Sequence, residues 1–186
     1  VYIESPYDQD IADLNAKLND TYVWYGAEGE KSYKNMNQQD ANAEEFGQSN
    51  LVNRALTKNG SFYQSRNDSW DLVDKLSNDP NFDVSSIKSS YLPEAMQKKN
   101  KSEKANYVLQ KKRERDAITA QIGALGKQRT AYIASERAKM GEDASLENAM
   151  LTAVRGQARS KGFTFEEVAL KAEAPTTFTP ALVDFD

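Results

Sequence analysis

The chain has 186 residues, 28% of them charged and 39% hydrophobic, with a net charge of −4. It contains no cysteine and no histidine, which excludes disulfides, thiolate nucleophiles, Ser-His triads and the usual zinc ligands and leaves carboxylate, lysine and tyrosine chemistry. No apolar run approaches the ~18 residues of a membrane span, and a mean hydropathy of −0.77 predicts a modest core under much solvated helix surface.

Val1-Tyr2-Ile3 is a short β-type run stopped by Pro6. It reads as the start of a fragment or processed product, not as a signal peptide. Pro6 followed by Asp8, Asp10 and Asp13 predicts a helix start, because carboxylates are favoured in a first turn. Ile11, Leu14 and Leu18 space as one face of that helix, which should end near Asn19. Tyr22, Val23, Trp24 and Tyr25 then read as an extended segment packed beneath a helix. From Gly29 to Lys58 the sequence predicts one or two weakly amphipathic helices with a break near Gly47, followed by an Asn59-Gly60-Ser61 turn. Ser69 is the expected cap of a helix carrying Trp70, Leu72, Val73 and Leu76, which ends at Asp79-Pro80. Leu92-Pro93 is a further corner.

The longest element is predicted over residues 102–140, a stretch without proline that would reach about 60 Å as a helix. Ile118, Ile122, Leu125 and Tyr132 form its apolar stripe, at spacings of four, three and seven. Extending that register puts Val108 on the seam, but also the charged Lys111, Arg115, Arg129 and Glu136. A free dimeric rod needs sustained apolar seam positions, so the centre of the helix should pack on shorter helices of its own chain, antiparallel to them. Gly141 is the expected stop. Another helix should carry Leu146, Met150, Leu151 and Val154 as far as Gly162, and a short one Phe165–Lys171, before an extended tail.

Charge is unevenly spread. Residues 1–50 hold ten acids and three bases, residues 51–141 ten acids and seventeen bases, and residues 142–186 eight acids and four bases. The bases are densest at Lys98, Lys99, Lys101, Lys104, Lys111, Lys112, Arg113 and Arg115. With mostly lysine, Tyr107 as the sole aromatic within the block, and a pI near 5.1, this reads as a solvated helix end balanced by acids of the same chain, not as a nucleic-acid face.

The candidate chemistry is thin. Asp8, Asp10 and Asp13 lack the mid-loop glycine and late acidic ligand of a calcium loop. Ser85-Ser86-Ile87-Lys88 has S-x-x-K spacing without the companion motifs of that chemistry. Asp83-Val84-Ser85-Ser86 misses a D-x-S-x-S metal loop by register and reads as a capping turn. There is no glycine-rich phosphate loop. We expect no enzyme activity, no metal and no cofactor.

Several phrases in order (VYIESPYDQDIADLNAKLNDTYVWYG, NQQDANA, SFYQSRNDSWDLVDKL, FDVSSIKSSYLPEAM and GFTFEEV) resemble the C-terminal part of secreted or periplasmic bacterial proteins with a von Willebrand factor type A domain. The resemblance implies that residues 1–26 are the last strand and helix of that adhesion domain, 27–171 a helical extension and 172–186 a tail. It also implies a periplasmic or cell-envelope location. The metal-ion-dependent adhesion loop of the family lies outside this sequence, so no metal ligand is carried over. The expectation is a mostly α, elongated bundle with at most a minor N-terminal strand. It would act as a protein-protein interaction module through Lys98, Lys101, Lys104, Lys111, Lys112, Arg115, Ile118, Ile122, Leu125 and Tyr132. Its partner would be another protein, its own upstream adhesion domain included. The alternative is a free-standing coiled-coil scaffold or appendage subunit that self-associates into homo-oligomers through the same stripe.

Overall fold

The computed structural model describes residues 2–64, 66–139 and 146–163. Among these the chain is mostly helical, with α1 (Asp8–Asn19), α2 (Gly29–Glu45), α3 (Gln48–Lys58), α4 (Ser61–Gln64), α5 (Leu72–Asn78), α6 (Glu94–Gln97), α7 (Lys101–Lys139) and α8 (Leu146–Ser160). Two 3-10 turns, Val84–Ser86 and Ser89–Tyr91, lie between α5 and α6. The described residues form no strand. A single antiparallel bridge joins Trp24 and Asp71. The chain divides into two compact units, Val1–Ile133 and Ala134–Asp186.

Local chemistry sets the helix ends. Asp8 and Asp10 occupy the first turn of α1 and Lys17 the last, the arrangement the peptide dipoles favour. Gly47 separates α2 from α3 at φ 124°, a conformation that a side chain would strain. α7 opens on a reciprocal capping box: Glu103 N–H donates to Asn100 Oδ1 at 3.0 Å, and Asn100 N–H donates to Glu103 Oε2 at 2.7 Å. That satisfies two donors otherwise orphaned at a helix start.

Two expectations are corrected here. Residues 2–5 make no strand, because Ser5 N–H and Oγ donate to Asp8 and fold the segment onto the start of α1. The cap of α5 is Asp71, whose side chain accepts from Asp74 N–H at 3.0 Å. Ser69 does not serve, and Trp70 precedes the helix, because Asp71 is the side chain placed to meet the first-turn amides. On the N-terminal side of Gly26, two residues enter cores built with later elements. Tyr22 packs with Leu18, Met36 and Ile122, and Val23 with Leu72, Leu92, Met96 and Val108. The expected features at Gly141, residues 165–171 and the tail lie outside the described residues.

Within the first unit, α7 runs antiparallel to α1. Arg129 meets Asp8, Leu125 packs on the Ile11 cluster, Ile122 on the Leu18 cluster, and Arg115 reaches Thr21. Gly126 allows this approach on the side of α3, where a Cβ would sit 2.7 Å from Leu56 Cδ2.

Candidate functional site

The buried positions of α7 are Lys104, Val108, Arg115, Ile122, Gly126 and Arg129. All but Gly126, which lies beside it, fall on the register read from Ile118, Ile122 and Leu125, charged members included. The seam is real, and its partner is the chain itself. Ile122 is fully buried, with Ile118 packed beside it, Leu125 joins Ile11, Val52 and Ala55, and the Tyr132 ring meets Tyr7 edge-on at 6.4 Å. Arg115, Ile118, Ile122, Leu125 and Tyr132, expected to face a partner, are thus engaged internally, because burying this stripe is what seats α7 on α1 and α3.

Arg115 is the centre of the first polar cluster. Its Nη1 donates to Asp71 Oδ2 and Asp74 Oδ1, both at 2.7 Å, its Nη2 to Thr21 O at 2.9 Å, and its Nε to Thr21 Oγ1 at 3.0 Å. The guanidinium also lies 4.1 Å from the Tyr22 ring centroid, and Tyr22 stacks on Trp70 at 5.6 Å. Asp71 Oδ1 accepts from Val23 N–H at 2.7 Å. One carboxylate therefore ties the 21–25 segment, the start of α5 and the middle of α7.

A second cluster joins α1, α2 and α3. Lys58, fully buried, uses all three ammonium donors, on Asp40 Oδ2 at 2.7 Å, on Asn15 Oδ1 at 2.9 Å and on Asn19 Oδ1. Both asparagines donate back to Asp40 Oδ2, at 3.0 Å from Asn15 and 2.7 Å from Asn19, while Arg54 holds the other carboxylate oxygen. Burial pulls the Lys58 ammonium down to about 8 despite Asp40 beside it. In the third cluster Arg129 Nε donates to Asp8 Oδ1 at 2.7 Å, and Ser5 and Tyr2 donate to the same carboxylate.

Sequence reading missed Asp8, Asn15, Asp40, Lys58, Asp71 and Asp74 as members of these clusters. A signal was present: Asn15 and Lys58 sit in register with apolar residues of α1 and α3, just as Arg115 and Arg129 do on α7. A charge on an apolar face is expected when an opposite charge meets it inside.

Burial raises Asp74 to about 6, and neighbouring Asp71 adds to this against the pull of Arg115. Asp74 Oδ2 and the Tyr22 hydroxyl have no hydrogen-bond partner. With its folded value above that of an unfolded aspartate, Asp74 holds a proton in the native state that the unfolded chain releases. Its contribution to stability therefore rises as pH falls from above 6 towards 4. No histidine competes in that window. Urea midpoints should rise by roughly 1–2 kcal/mol equivalent between pH 7.5 and 5, and Asp74→Asn should flatten the slope. A slope of the same size in Asp74→Asn would refute this assignment.

Three of the other basic residues have local counter-charges. Lys101 pairs with Asp83 at 2.9 Å, Lys111 with Glu114 at 2.8 Å and Lys112 with Asp116 at 2.7 Å. Lys104 is buried, and Lys98 is exposed. Asp83 is held down to about 2 by its Ser85 hydrogen bonds and by Lys101, so the Asp83–Ser86 run is the capping turn its spacing suggests. A shallow depression lined by Asn59, Gln64, Asp116, Thr119 and Ala120 brings together one carboxylate, and that one is already paired with Lys112. Among the described residues no group of three or more acids is placed to hold a metal. No helix among them is long and apolar enough to cross a membrane. No family model, curated protein or solved structure matches the chain.

Proposed function

We propose that this chain is a non-catalytic protein-protein interaction module, the helical C-terminal extension of a bacterial envelope protein of the von Willebrand factor type A kind. The observation that carries the reading is the fate of the long helix. Its seam is anchored inside the first unit by Arg115, Ile122 and Arg129, which fixes its opposite side as a rigid surface. That side presents Leu109, 46% exposed, with Lys112 and Arg113 close by on the helix, and exposed Lys101 and Lys98 extend the basic character towards the N-terminal end. An exposed apolar residue with Arg113 and Lys112 one turn on, Lys112 shared with Asp116, suits a partner protein with a complementary polar rim. The self-associating rod would need the seam that α7 already uses, so we rank it second.

A photo-reactive amino acid at Leu109, introduced into the full chain in its native cells, should give a discrete protein adduct, and one at buried Ile122 should give none. Equal adducts at both positions, or none at Leu109, would remove the reading. The coding sequence upstream of Val1 tests the family assignment separately. A D-x-S-x-S adhesion loop there supports it, and a start codon just before Val1 ends it.

A further inference from the structure

We propose that the apolar face of α8 is a pairing surface for a second copy of this chain, the two helices lying antiparallel about a two-fold axis at Val154. In the second unit, Met150 and Val154 are each 60% exposed and Leu151 is 40%. At 3.6 residues per turn, Met150 and Leu151 flank Val154 from the preceding turn, so the three make one apolar strip. Positions seven before and seven after Val154 fall within about 20° of it on the same face. They are Glu147 and Lys161. Lys161 lies exposed in the turn that closes α8, its N–H donating to Ala158 O at 3.0 Å. By register, the strip thus runs from an acid at one end to a base at the other.

That order selects both the occupant and its orientation. A copy turned about Val154 sets each position opposite the one equally far beyond the axis. Glu147 then comes opposite Lys161 of the second copy, at both ends of the contact, while Met150 comes opposite Ala158 and Val154 opposite itself. Such a contact is self-complementary, as a two-fold interface must be. Arg155 and Arg159 fall opposite Ala153 and Ala149, so no like charges are opposed, and Arg159 is already engaged in an interaction of its own. A parallel copy would set Glu147 against Glu147 and Lys161 against Lys161, which is repulsive. An anionic membrane would gain nothing from an acid in line with the apolar strip. With its 15 residues, α8 is about 22 Å long, so the contact is small and the dimer weak. The pairing uses no position of the α7 seam and does not depend on the proposed protein contact at Leu109, which a different experiment reads.

The test is sedimentation equilibrium of the full chain at low salt, from about 10 µM to about 1 mM, which should show monomer and dimer in exchange. Val154→Glu sets two acids face to face on the axis and should abolish the dimer. Glu147→Lys and Lys161→Glu each turn two attractive pairs into two repulsive ones, and each should raise the dissociation constant roughly tenfold. Glu147→Lys/Lys161→Glu rebuilds both pairs with their signs exchanged and should return the constant to the parent value. Melting followed at Trp24 and Trp70, both in the first unit, checks that each variant stays folded. A chain that stays monomeric over the whole range would overturn the proposal. So would a dimer that Val154→Glu leaves intact, or single reversals that the double variant does not rescue. Binding of the monomer to vesicles of phosphatidylcholine mixed with phosphatidylglycerol, lost in Val154→Glu, would also overturn it, since lipid would then cover the face.

Discussion

Arg115→Met should lower the stability of the first unit by roughly 3–5 kcal/mol, because it leaves two adjacent buried carboxylates without their cation. Asp71 is completely buried and Asp74 nearly so, so neither can turn to water without opening the fold. The loss extends beyond the ion pair. Arg115 also satisfies the Thr21 carbonyl and covers the Tyr22 ring, and Asp71 caps α5 while holding Val23 N–H. A change of this size is a large fraction of the 5–15 kcal/mol that an ordinary domain possesses. Lysine should not rescue it, since one ammonium cannot span both carboxylates and both Thr21 oxygens as a planar fork does. Urea unfolding followed by tryptophan fluorescence reads the effect directly, because Trp70 stacks on Tyr22. Arg115→Met/Asp71→Asn/Asp74→Asn should recover part of the loss by removing the stranded charges. A single Arg115→Met within about 1 kcal/mol of the parent would show that the cluster is not what holds α7.

The order and type of the longer helices were legible because the punctuation is strong, whereas the one-turn helices α4 and α6 were not read. Gly47, Asp79-Pro80 and Leu92-Pro93 end elements where their backbone chemistry says they should, and the absence of proline across residues 102–140 marked out α7. The α7 seam was legible too, down to its charged members. Its occupant was harder to read. Lys111, Arg115 and Arg129 on a seam look like weak points when the only partner considered is another apolar stripe. Spacing within one helix gives no sign that Asp8 lies 121 residues from Arg129 in sequence and yet bonds to it. Likewise the acidic flank supplies the counter-charges for Arg129, Arg54 and Lys58 through Asp8 and Asp40. The charge imbalance between regions announced this only in bulk. The outward positions gave the least signal. Leu109 and Met150 are apolar residues like those of the core, and only the fold separates them from Val108 and Ile122.

Lys58→Met is the second large expected effect. The methionine stem fits where the lysine stem lay, so packing volume is nearly kept and the loss isolates the ammonium. Without it, Asn15 Oδ1 and Asn19 Oδ1 lose their donor, and Asp40 keeps Arg54 on one oxygen and only the two asparagine amides on the other. Breaking a buried pair at one end costs about 3 kcal/mol or more, and here the break falls where α1, α2 and α3 meet. The chemical argument also sets the direction of the compensating change. Lys58→Met/Asp40→Leu removes both buried charges and leaves Arg54, already one-fifth exposed, to turn towards Gln39 and water. It should therefore be more stable than Lys58→Met alone, by about 1–3 kcal/mol. The pH dependence gives a separate check. Burial holds Lys58 down to about 8 in the fold, below the value of an unfolded lysine, so the native state releases its proton first. The parent should gain stability as pH rises from about 8 towards 10.5, and Lys58→Met should lose that gain. Urea midpoints at pH 7.5 and 9.5 for the parent, the single variant and the double variant would decide it. A double variant no more stable than the single would mean that the asparagine bonds, not the stranded carboxylate, set the cost.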